Sequence, residues 1–458
     1  MAVRAVKNLQ GTYSVFVNGR WSSTARLQGL VENTNPWDVE HIYGNVSESD
    51  ETLIDEACEV AARDLSQWQE MGPQLRNNAV SFVVAALQEN AAELVTVLTR
   101  ELGKTAADAQ EEIDETISLL TAETDGPHPV SGRCHAQGPQ HASAVLIITP
   151  FSGAVVISLS QILGVLLAGN TVVWTPSPRA PESSQAVAQI LVQGIQAAAV
   201  QAGQEFPSGT FSMLLGGAAC SSAVMRHPQI SAVEFTGSQQ TATQVASELL
   251  ALDKECHLHT SGPNQLYVHE SADLDEAARR FLVAKTQSAG QRCTSVQDLL
   301  CDQAVHEALL KRVLELAEKV VTGASNSASL ADADSDPKHF SLTPLVDKAA
   351  LRRCQKLVSR AVEEGASLLY QQELPRELRR AGFYMPFTLL CNVSRDNVAY
   401  DAEFMGPIGI ISSVSDMSEA LAIINHKQGQ VAAIAATGRD LIRSFEQQTH
   451  GTAAFWEA

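Results

Sequence analysis

The spacing of hydrophobic and polar residues predicts that strands and helices alternate along most of this chain. Residues 13–21 alternate around Asn18-Gly19, a pair that is typical of the tight turn of a β-hairpin. Alanine-rich runs with helical spacing fill 50–100, and Gly72-Pro73 interrupts them. From residue 143 onward, short apolar runs alternate with longer helical runs. This order is typical of a parallel sheet with crossover helices.

Two alternating blocks follow one another in this region. In the first block we predict strands at 143–148, 171–174, 211–215 and 232–235, and helices at 156–167, 182–201 and 240–251. In the second block, which begins at residue 257, we predict strands at 266–268 and 296–301, and helices at 274–288 and 305–321. Residues 326–338 are rich in Ser, Ala and Asp, which predicts a surface loop.

Composition and charge narrow the class of protein. The 458 residues and 49.1 kDa leave room for two or three domains with substantial cores. A net charge of −20 without any basic cluster argues against nonspecific nucleic-acid binding. The most apolar stretch, 154–167, is too short to span a bilayer, and the first ten residues lack the apolar core of a signal peptide. Eight cysteines without paired spacing favour reduced thiols, so we expect a cytoplasmic protein with no nucleic-acid or membrane partner.

One cysteine stands in a segment suited to nucleophilic chemistry. Residues 288–295 read Ser-Ala-Gly-Gln-Arg-Cys-Thr-Ser, which places Cys293 in a small polar loop beside Arg292. A neighbouring cation lowers the pKa of a thiol and favours the thiolate that attacks electrophiles. Taken alone, the segment fits a structural cysteine beside a solvated arginine better. The segments that accompany it change this interpretation.

Further segments stand in a fixed order around this loop. They read Thr-Pro-Phe at 149–151, Leu-Leu-Ala-Gly-Asn-Thr-Val-Val-Trp at 166–174, Glu-Phe-Thr-Gly-Ser at 234–238 and Glu-Phe-Met-Gly-Pro at 403–407. With the cysteine loop they resemble the aldehyde dehydrogenase superfamily, from about residue 15 onward. The details resemble its pyrroline-5-carboxylate and succinylglutamate semialdehyde dehydrogenases. This resemblance implies an aldehyde-dehydrogenase-like α/β fold with two Rossmann-like parallel-sheet domains and a small β flap.

The resemblance also divides the chain. It assigns 1–122 and 144–256 to a nucleotide-binding domain, 123–143 to an oligomerisation flap, 257–445 to a catalytic domain and 446–458 to a shortened C-terminal segment. Members of the family continue further, with a strand that joins the flap. We therefore expect a homodimer that the missing strand weakens.

The implied reaction is NAD- or NADP-dependent oxidation of a small aldehyde, such as an amino-acid-derived semialdehyde, through a thiohemiacetal and a thioester on Cys293. The family's oxyanion-stabilising asparagine is Ser152 here, and its general-base glutamate is His259. A serine that only completes a turn fits Ser152 as well. For His259, a polar residue lining a cleft fits as well as a base, although the imidazole pKa of ~6.5 suits water activation. We expect no metal, because Cys256, His257 and His259 have no further ligands at helpful spacing.

The resemblance implies several residues that contact the cofactor, and most but not all of them match the family's residue types. Gly237 and Ser238 match the turn that holds the pyrophosphate, Glu403 matches the carboxylate that binds the nicotinamide ribose, and Pro150 and Phe151 belong to the strand-end motif beside the cofactor. Thr175, however, stands where the family has a lysine that reaches the adenosine ribose.

Two alternatives remain open at this point. Coenzyme-A-acylating relatives also lack the glutamate, because a thiol rather than water takes the acyl group. A non-catalytic relative that keeps the fold for binding or assembly would also tolerate these replacements.

Overall fold

The computed structural model describes residues 3–24, 31–122, 143–325, 327, 330, 339–450 and 452–457. The chain divides into two compact units. The first unit comprises Met1–Asn35, His41–Leu102 and Ala109–His259; the second comprises Pro36–Glu40, Gly103–Asp108 and Thr260–Ala458. The predicted domain limits remain a prediction, and the predicted flap at 123–143 lies, except for residue 143, outside the described residues.

A seven-stranded sheet forms the centre of the first unit, in the order β2-β1-β7-β6-β5-β8-β9. Its strands are β1 (Val15–Val17), β2 (Arg20–Ser22), β5 (Ala144–Thr149), β6 (Thr171–Pro176), β7 (Phe211–Met213), β8 (Ile230–Ser238) and β9 (Glu255–Ser261); β3 (Val31–Thr34) and β4 (Ile42–Val46) form a separate antiparallel pair. Strands β5 to β8 pair in parallel, whereas β1 is antiparallel to β2 and β7. The carboxyl ends of β5, β6 and β8 therefore share one edge, where ligands bind in open parallel sheets.

The helices of this part follow the predicted pattern. They are α1 (Glu51–Glu70), α2 (Gly72–Glu89), α3 (Ala91–Leu102), α4 (Ala106–Thr121), α5 (Val156–Leu167), α6 (Pro181–Gln201), α7 (Ala218–Arg226) and α8 (Gln239–Leu252). The predicted break at Gly72-Pro73 is confirmed, because Pro fits the first turn of a helix but not its interior. A second break, at Asn90, was not predicted. The predicted hairpin is also confirmed, with Asn18 and Gly19 at φ 52° and 74°.

The second unit contains another seven-stranded sheet, in the order β14-β15-β16-β11-β10-β17-β18. Its strands are β10 (Asn264–Val268), β11 (Val296–Asp302), β14 (Ser367–Gln371), β15 (Thr388–Cys391), β16 (Ile408–Val414), β17 (Val431–Ala436) and β18 (Thr452–Glu457); β12 (Val320–Thr322) and β13 (Phe340–Leu342) form a parallel pair. All neighbours in the large sheet are parallel except β14 and β15. The helices are α9 (Leu274–Thr286), α10 (His306–Ala317), α11 (Lys348–Glu363), α12 (Arg376–Ala381), α13 (Met417–Lys427) and α14 (Arg439–Gln448).

Two predicted helices in this unit are too long. The helix predicted at 305–321 ends at Ala317, because Val320–Thr322 is a strand paired with β13. The helix predicted at 274–288 ends at Thr286 and gives way to a tight 3-10 turn at Gln287–Gly290. Of the surface loop predicted at 326–338, only residues 327 and 330 are described. The segment predicted as a C-terminal remnant contains β18, which pairs in parallel with β17.

Two sequence-based expectations concern membranes and thiols. Among the described residues, no single helix has the length and apolar character needed to cross a bilayer; α2 and α3 pass that test only together, and they are bent by 69°. The described cysteines are all free thiols, and they are Cys58, Cys220, Cys256, Cys293, Cys301, Cys354 and Cys391.

Candidate active site

Cys293 lies in the second unit, on the loop between α9 and β11, where its side chain is partly exposed. The loop starts with three consecutive left-handed residues, Ser288, Ala289 and Gly290, at φ 48°, 54° and 68°. Such angles cost ~1–3 kcal/mol at a non-glycine residue, so the surroundings must impose them. One constraint is visible in the backbone N–H of Ser288, which donates to Asp108 Oδ2 at 2.8 Å.

Gly290 is required at its position by a close backbone approach. A Cβ atom there would lie 2.4 Å from the carbonyl oxygen of Gly406, far inside van der Waals contact. The glycine therefore brings the cysteine loop against the segment that carries Glu403. Sequence reasoning identified both segments as motifs but could not predict that they touch.

Asn264, the first residue of β10, holds the cysteine loop in place through side-chain hydrogen bonds. Its side-chain nitrogen donates to the carbonyl oxygens of Cys293 at 2.8 Å and Ser295 at 3.1 Å. Its side-chain oxygen accepts from the N–H of Val431 at 2.8 Å. The residue is 1% exposed, so all of its polar atoms need such partners. Asn264 received no role from the sequence, although an amide inside an apolar strand is a signal that it bridges other groups.

Glu403 lies on a loop that the second unit holds on both sides. Arg353 donates to the carbonyl oxygens of Glu403 and Phe404 at 3.0 and 2.7 Å. Gln297 donates to Ala402 O and accepts from Phe404 N, both at 2.9 Å. The main chain around the carboxylate is therefore fixed by side chains from α11 and β11.

The Glu403 carboxyl group itself accepts a hydrogen bond from the hydroxyl of Ser261 at 2.8 Å. Burial raises its pKa, and the Ser261 hydrogen bond, Arg353 and Lys285 oppose that rise. Lys285 lies under the same loop: its ammonium group is fully buried and donates to Ile408 O at 3.3 Å. Burial lowers the pKa of Lys285 to about 8, against the opposing charges of Asp298, Cys354 and Glu403. Lys285 was not predicted as a site residue.

The first unit carries the predicted strand-end motif. Pro150, Phe151 and Ser152 follow β5 directly and are each partly exposed. The guanidinium group of Arg179 lies 5.4 Å from the centre of the Phe151 ring, at cation–π distance. Thr175, at the end of β6, is 2% exposed, and its hydroxyl oxygen lies 3.0 Å from that of Ser221. The Thr175 hydroxyl is thus engaged within the protein.

Helices α5 to α8 differ in what occupies their first turn. Helix N-termini favour anions, because their N–H groups lack partners inside the helix. A carboxylate fills this position in three of the four, with hydrogen bonds from Val155 N to buried Glu112 at 2.8 Å, from Ser183 N to buried Glu101 at 2.7 Å and from Gly217 N to half-buried Glu48 at 2.9 Å. At α8 the cap is the neutral hydroxyl of Ser238, which accepts from Thr241 N at 3.3 Å. Within the part of the chain that the structure describes, no carboxylate therefore caps the start of α8, which is exposed.

The turn before α8 also has the compact form that a phosphate needs. A Cβ atom at Gly237 would lie 2.5 Å from the Phe235 ring, so only glycine fits without a shift. Because Ser238 caps Thr241, the backbone N–H groups of Gln239 and Gln240 are the ones available to an anion. This part of the structure fits a nucleotide pyrophosphate.

His259 lies on β9, next to β8 in the sheet of the first unit. Its Nε2 atom is 3.2 Å from Oε2 of Glu234, whose side chain is 4% exposed, while the imidazole is 42% exposed. His257, two residues earlier, lies 3.0 Å from Glu255 instead. No group of three or more metal-binding side chains lies together in the described part of the chain. Sequence reasoning gave Glu234 no role beyond its place in a motif.

Comparison with known proteins shows the family to which the chain belongs. The aldehyde dehydrogenase family model matches residues 21–455, and the chain therefore belongs to the aldehyde dehydrogenase family. It is 26% identical over 427 residues to the alpha-ketoglutaric semialdehyde dehydrogenase of Bacillus subtilis, covering 91% of this chain and 83% of that protein. It is 22% identical over 456 residues to a 1-pyrroline-5-carboxylate dehydrogenase of the same organism, covering 96% and 83%.

A solved structure shows the same fold. The betaine aldehyde dehydrogenase of Staphylococcus aureus, determined in complex with NAD+, superposes with a TM-score of 0.83 at 17% identity and covers 96% of this chain and 86% of that one. The family and the α/β fold expected from these motifs are thus confirmed. So are the class of activity, oxidation of an aldehyde, and the cofactor, NAD or NADP.

Proposed function

We propose that this protein oxidises an amino-acid-derived semialdehyde by forming a thioester on Cys293, and that water activated by His259 releases the acid. The observation that carries the assignment of the nucleophile concerns the other thiols. Burial raises the pKa of Cys58, Cys220, Cys256, Cys301, Cys354 and Cys391, which disfavours their thiolates. Cys293, which like Cys256 and Cys391 is partly exposed, lies on a loop fixed by Asn264.

The steps assign one task to each group. The Cys293 thiolate attacks the aldehyde carbon, and the oxyanion that forms is stabilised by the Cys293 backbone N–H and by the Ser152 hydroxyl. The hydride that leaves the thiohemiacetal carbon, and so leaves a thioester on Cys293, would pass to NAD or NADP, which supplies the hydride acceptor when it is bound. A water molecule then gives a proton to His259 and attacks the acyl carbon, and the carbon–sulfur bond breaks. The products are the carboxylic acid and the regenerated thiolate.

The chain offers fitting contacts for the cofactor. The start of α8, with the amides of Gln239 and Gln240, would hold the pyrophosphate, because among the described residues a carboxylate caps α5, α6 and α7 but a neutral hydroxyl caps α8. Glu403 would bind the nicotinamide ribose, since a carboxylate accepts hydrogen bonds from a diol. Thr175 would add little, because its hydroxyl is already engaged by Ser221. We expect weaker cofactor binding than a lysine at this position would give.

The replacements determine how efficient the reaction is. One missing oxyanion donor typically costs ~10²–10³ in turnover. A missing general base costs ~10²–10⁴. Turnover at an ordinary enzyme rate thus requires that Ser152 and His259 perform these tasks. The partly exposed positions of both side chains support the proposal.

A steady-state assay tests this function and separates it from transfer to coenzyme A. Purified protein is mixed with NAD+ or NADP+ and a panel of aldehydes that includes glutamate and succinate semialdehydes, with and without coenzyme A, and reduced cofactor is followed. The proposal predicts turnover without coenzyme A that Cys293→Ala abolishes and Cys391→Ala retains. Turnover only with coenzyme A would transfer the assignment to a thioester-forming enzyme, and no cofactor binding would favour a non-catalytic protein.

We also propose that the protein works in the cytoplasm as a homodimer. The free thiols of the described cysteines support a reducing compartment. Sedimentation at several concentrations measures the association. A stable monomer at high concentration would contradict the dimer.

A further inference from the structure

Glu234 presents an unusual arrangement for a buried acid. Its side chain is 4% exposed, and a carboxylate in such a place is costly unless it is paired. In the described structure its hydrogen-bond partner is Nε2 of His259 at 3.2 Å. The pairing joins neighbouring strands of one sheet, β8 and β9, within the first unit. The carboxylate and the imidazole thus share a rigid support.

The pairing determines which ring nitrogen of His259 can accept a proton. An ionised carboxylate only accepts hydrogen bonds, so the neutral imidazole must carry its hydrogen on Nε2 to bond with Glu234. The lone pair is then on Nδ1. The imidazole is 42% exposed, so water can reach the ring. When Nδ1 takes up a proton, the positive charge forms beside the negative charge of Glu234, which stabilises it.

The other titratable groups nearby do not replace Glu234 in this task. Cys256, on the same strand, has a pKa raised by burial and by the charge of Glu234. His257 shares the face of β9 with His259 by the two-residue period of a strand, but its partner is Glu255 at 3.0 Å. Glu255 is exposed, so this second pair is a chemically similar contact in a solvated place.

We infer that Glu234 is the positioning residue of a Glu234–His259 pair that activates the water, in place of the single glutamate expected from the resemblance. This inference rests on the proposed function. In the step, a proton moves from water to Nδ1 while the water oxygen bonds to the acyl carbon. The carbon–sulfur electron pair returns to Sγ of Cys293, and the imidazolium later gives its proton to solvent. Glu234 stays ionised, and the Nε2 hydrogen stays on the ring.

The test uses p-nitrophenyl acetate, because this ester acylates a thiolate directly and needs neither cofactor nor the natural aldehyde. The initial burst of p-nitrophenolate reports acylation of Cys293, and the later steady rate reports release of the acetyl group by water. Glu234→Gln keeps the size and an acceptor oxygen but removes the charge. We expect an unchanged burst and a steady rate ~10–10²-fold lower, with acetyl-enzyme visible by intact-protein mass spectrometry.

The pH profile gives a readout that a merely structural role would not move. In Glu234→Gln the imidazolium that forms during the step loses the carboxylate 3.2 Å from its Nε2 atom, so the dependence of the steady rate on pH should differ from that of the parent. Glu255→Gln is the matched control, since it removes the carboxylate of the neighbouring pair. Its burst, steady rate and pH profile should equal those of the parent. Thermal unfolding of both variants checks that the fold is intact.

A double variant tests the pair from the other side. His259→Glu alone places two carboxylates next to each other, and like charges at this distance hinder ionisation of one of them. His259→Glu combined with Glu234→Gln removes that repulsion and should release acetyl faster than His259→Glu alone. If Glu234→Gln matches Glu255→Gln in steady rate and pH profile, the positioning role is wrong while the proposed function stands. If the parent protein shows no acylation of Cys293, both are overturned.

Discussion

At the residue scale, the structure adds side chains that act on the motif residues from elsewhere in the sequence. Cys293 was predicted as the nucleophile from its loop together with the accompanying motifs, and family membership confirmed the class of reaction. Asn264 and Glu234 were not identified, because the groups they bind lie 29 and 25 residues away in the sequence. A hydrogen bond between distant residues leaves no periodic trace in the sequence. Only burial of a polar side chain, which the fold determines, shows that it needs a partner.

Removing the Asn264 amide should loosen the nucleophile loop. In Asn264→Ala the partly buried carbonyl oxygens of Cys293 and Ser295 lose their donor, and an unsatisfied acceptor costs up to ~1–3 kcal/mol when it is fully buried. We expect a lower thermal midpoint and a smaller or slower acylation burst with p-nitrophenyl acetate. Asn397→Ala is a matched control, because Asn397 also bridges buried backbone, from Ala361 O to Ala399 N. It should lose stability yet keep the burst; equal bursts in the two variants would contradict the role of Asn264.

Glu101 gives the first unit a predictable pH dependence. The carboxyl group is fully buried at the start of α6, and burial and the charge of Glu182 raise its pKa to about 7 from 4.5. The folded state therefore keeps a proton that the unfolded state loses, so this contribution to stability is full below 4.5 and is lost as the pH rises through about 7. Glu101→Gln should flatten the fall in the urea midpoint across this range. Glu205→Gln, which removes an exposed carboxylate, should leave it unchanged.

At the element scale, most strands and helices of the described residues follow from periodicity, because their buried faces repeat every two or 3.6 residues. The predicted helix limits are wrong where tertiary contacts determine the local backbone conformation. Periodicity predicted that the helix of 274–288 continues to Ser288. In the structure a left-handed turn replaces its end, because Ser288 N donates to Asp108 and Gly290 lies close to the backbone of Gly406. Val320–Thr322 continues an apolar run of helical type, yet its partner β13 makes it a strand.

The starts of the helices lead to a prediction about cofactor binding. Ser238→Asp keeps a good helix cap but places a carboxylate at the start of α8, as α5, α6 and α7 already have. The repulsion should weaken binding of NAD+ or NADP+ at least about tenfold in isothermal titration. Ser238→Asn caps the helix without a charge and should bind nearly as the parent does. Equal affinities for the Asp and Asn variants would show that the pyrophosphate does not bind at α8.

At the scale of the whole molecule, family membership rests on residues 21–455, which include both units almost completely. The motifs predicted this membership because they lie at the ends of strands and helices or in the loops that join them, where backbone geometry restricts the residue types. Substrate choice is different, since it depends on loops whose shape the motifs do not encode. The semialdehyde proposal therefore draws on the details of the motifs and on relatives such as the alpha-ketoglutaric semialdehyde dehydrogenase of Bacillus subtilis.

The most direct measurement of the central claim is the detection of the acyl-enzyme during aldehyde oxidation. Protein is mixed with a semialdehyde and NAD+ or NADP+, quenched in acid and analysed by intact-protein and peptide mass spectrometry. The account predicts an acyl group on Cys293 that appears only with the oxidised cofactor and accumulates further in His259→Ala. An acyl group on another cysteine, or reduced cofactor formed without any adduct in either protein, would contradict the account.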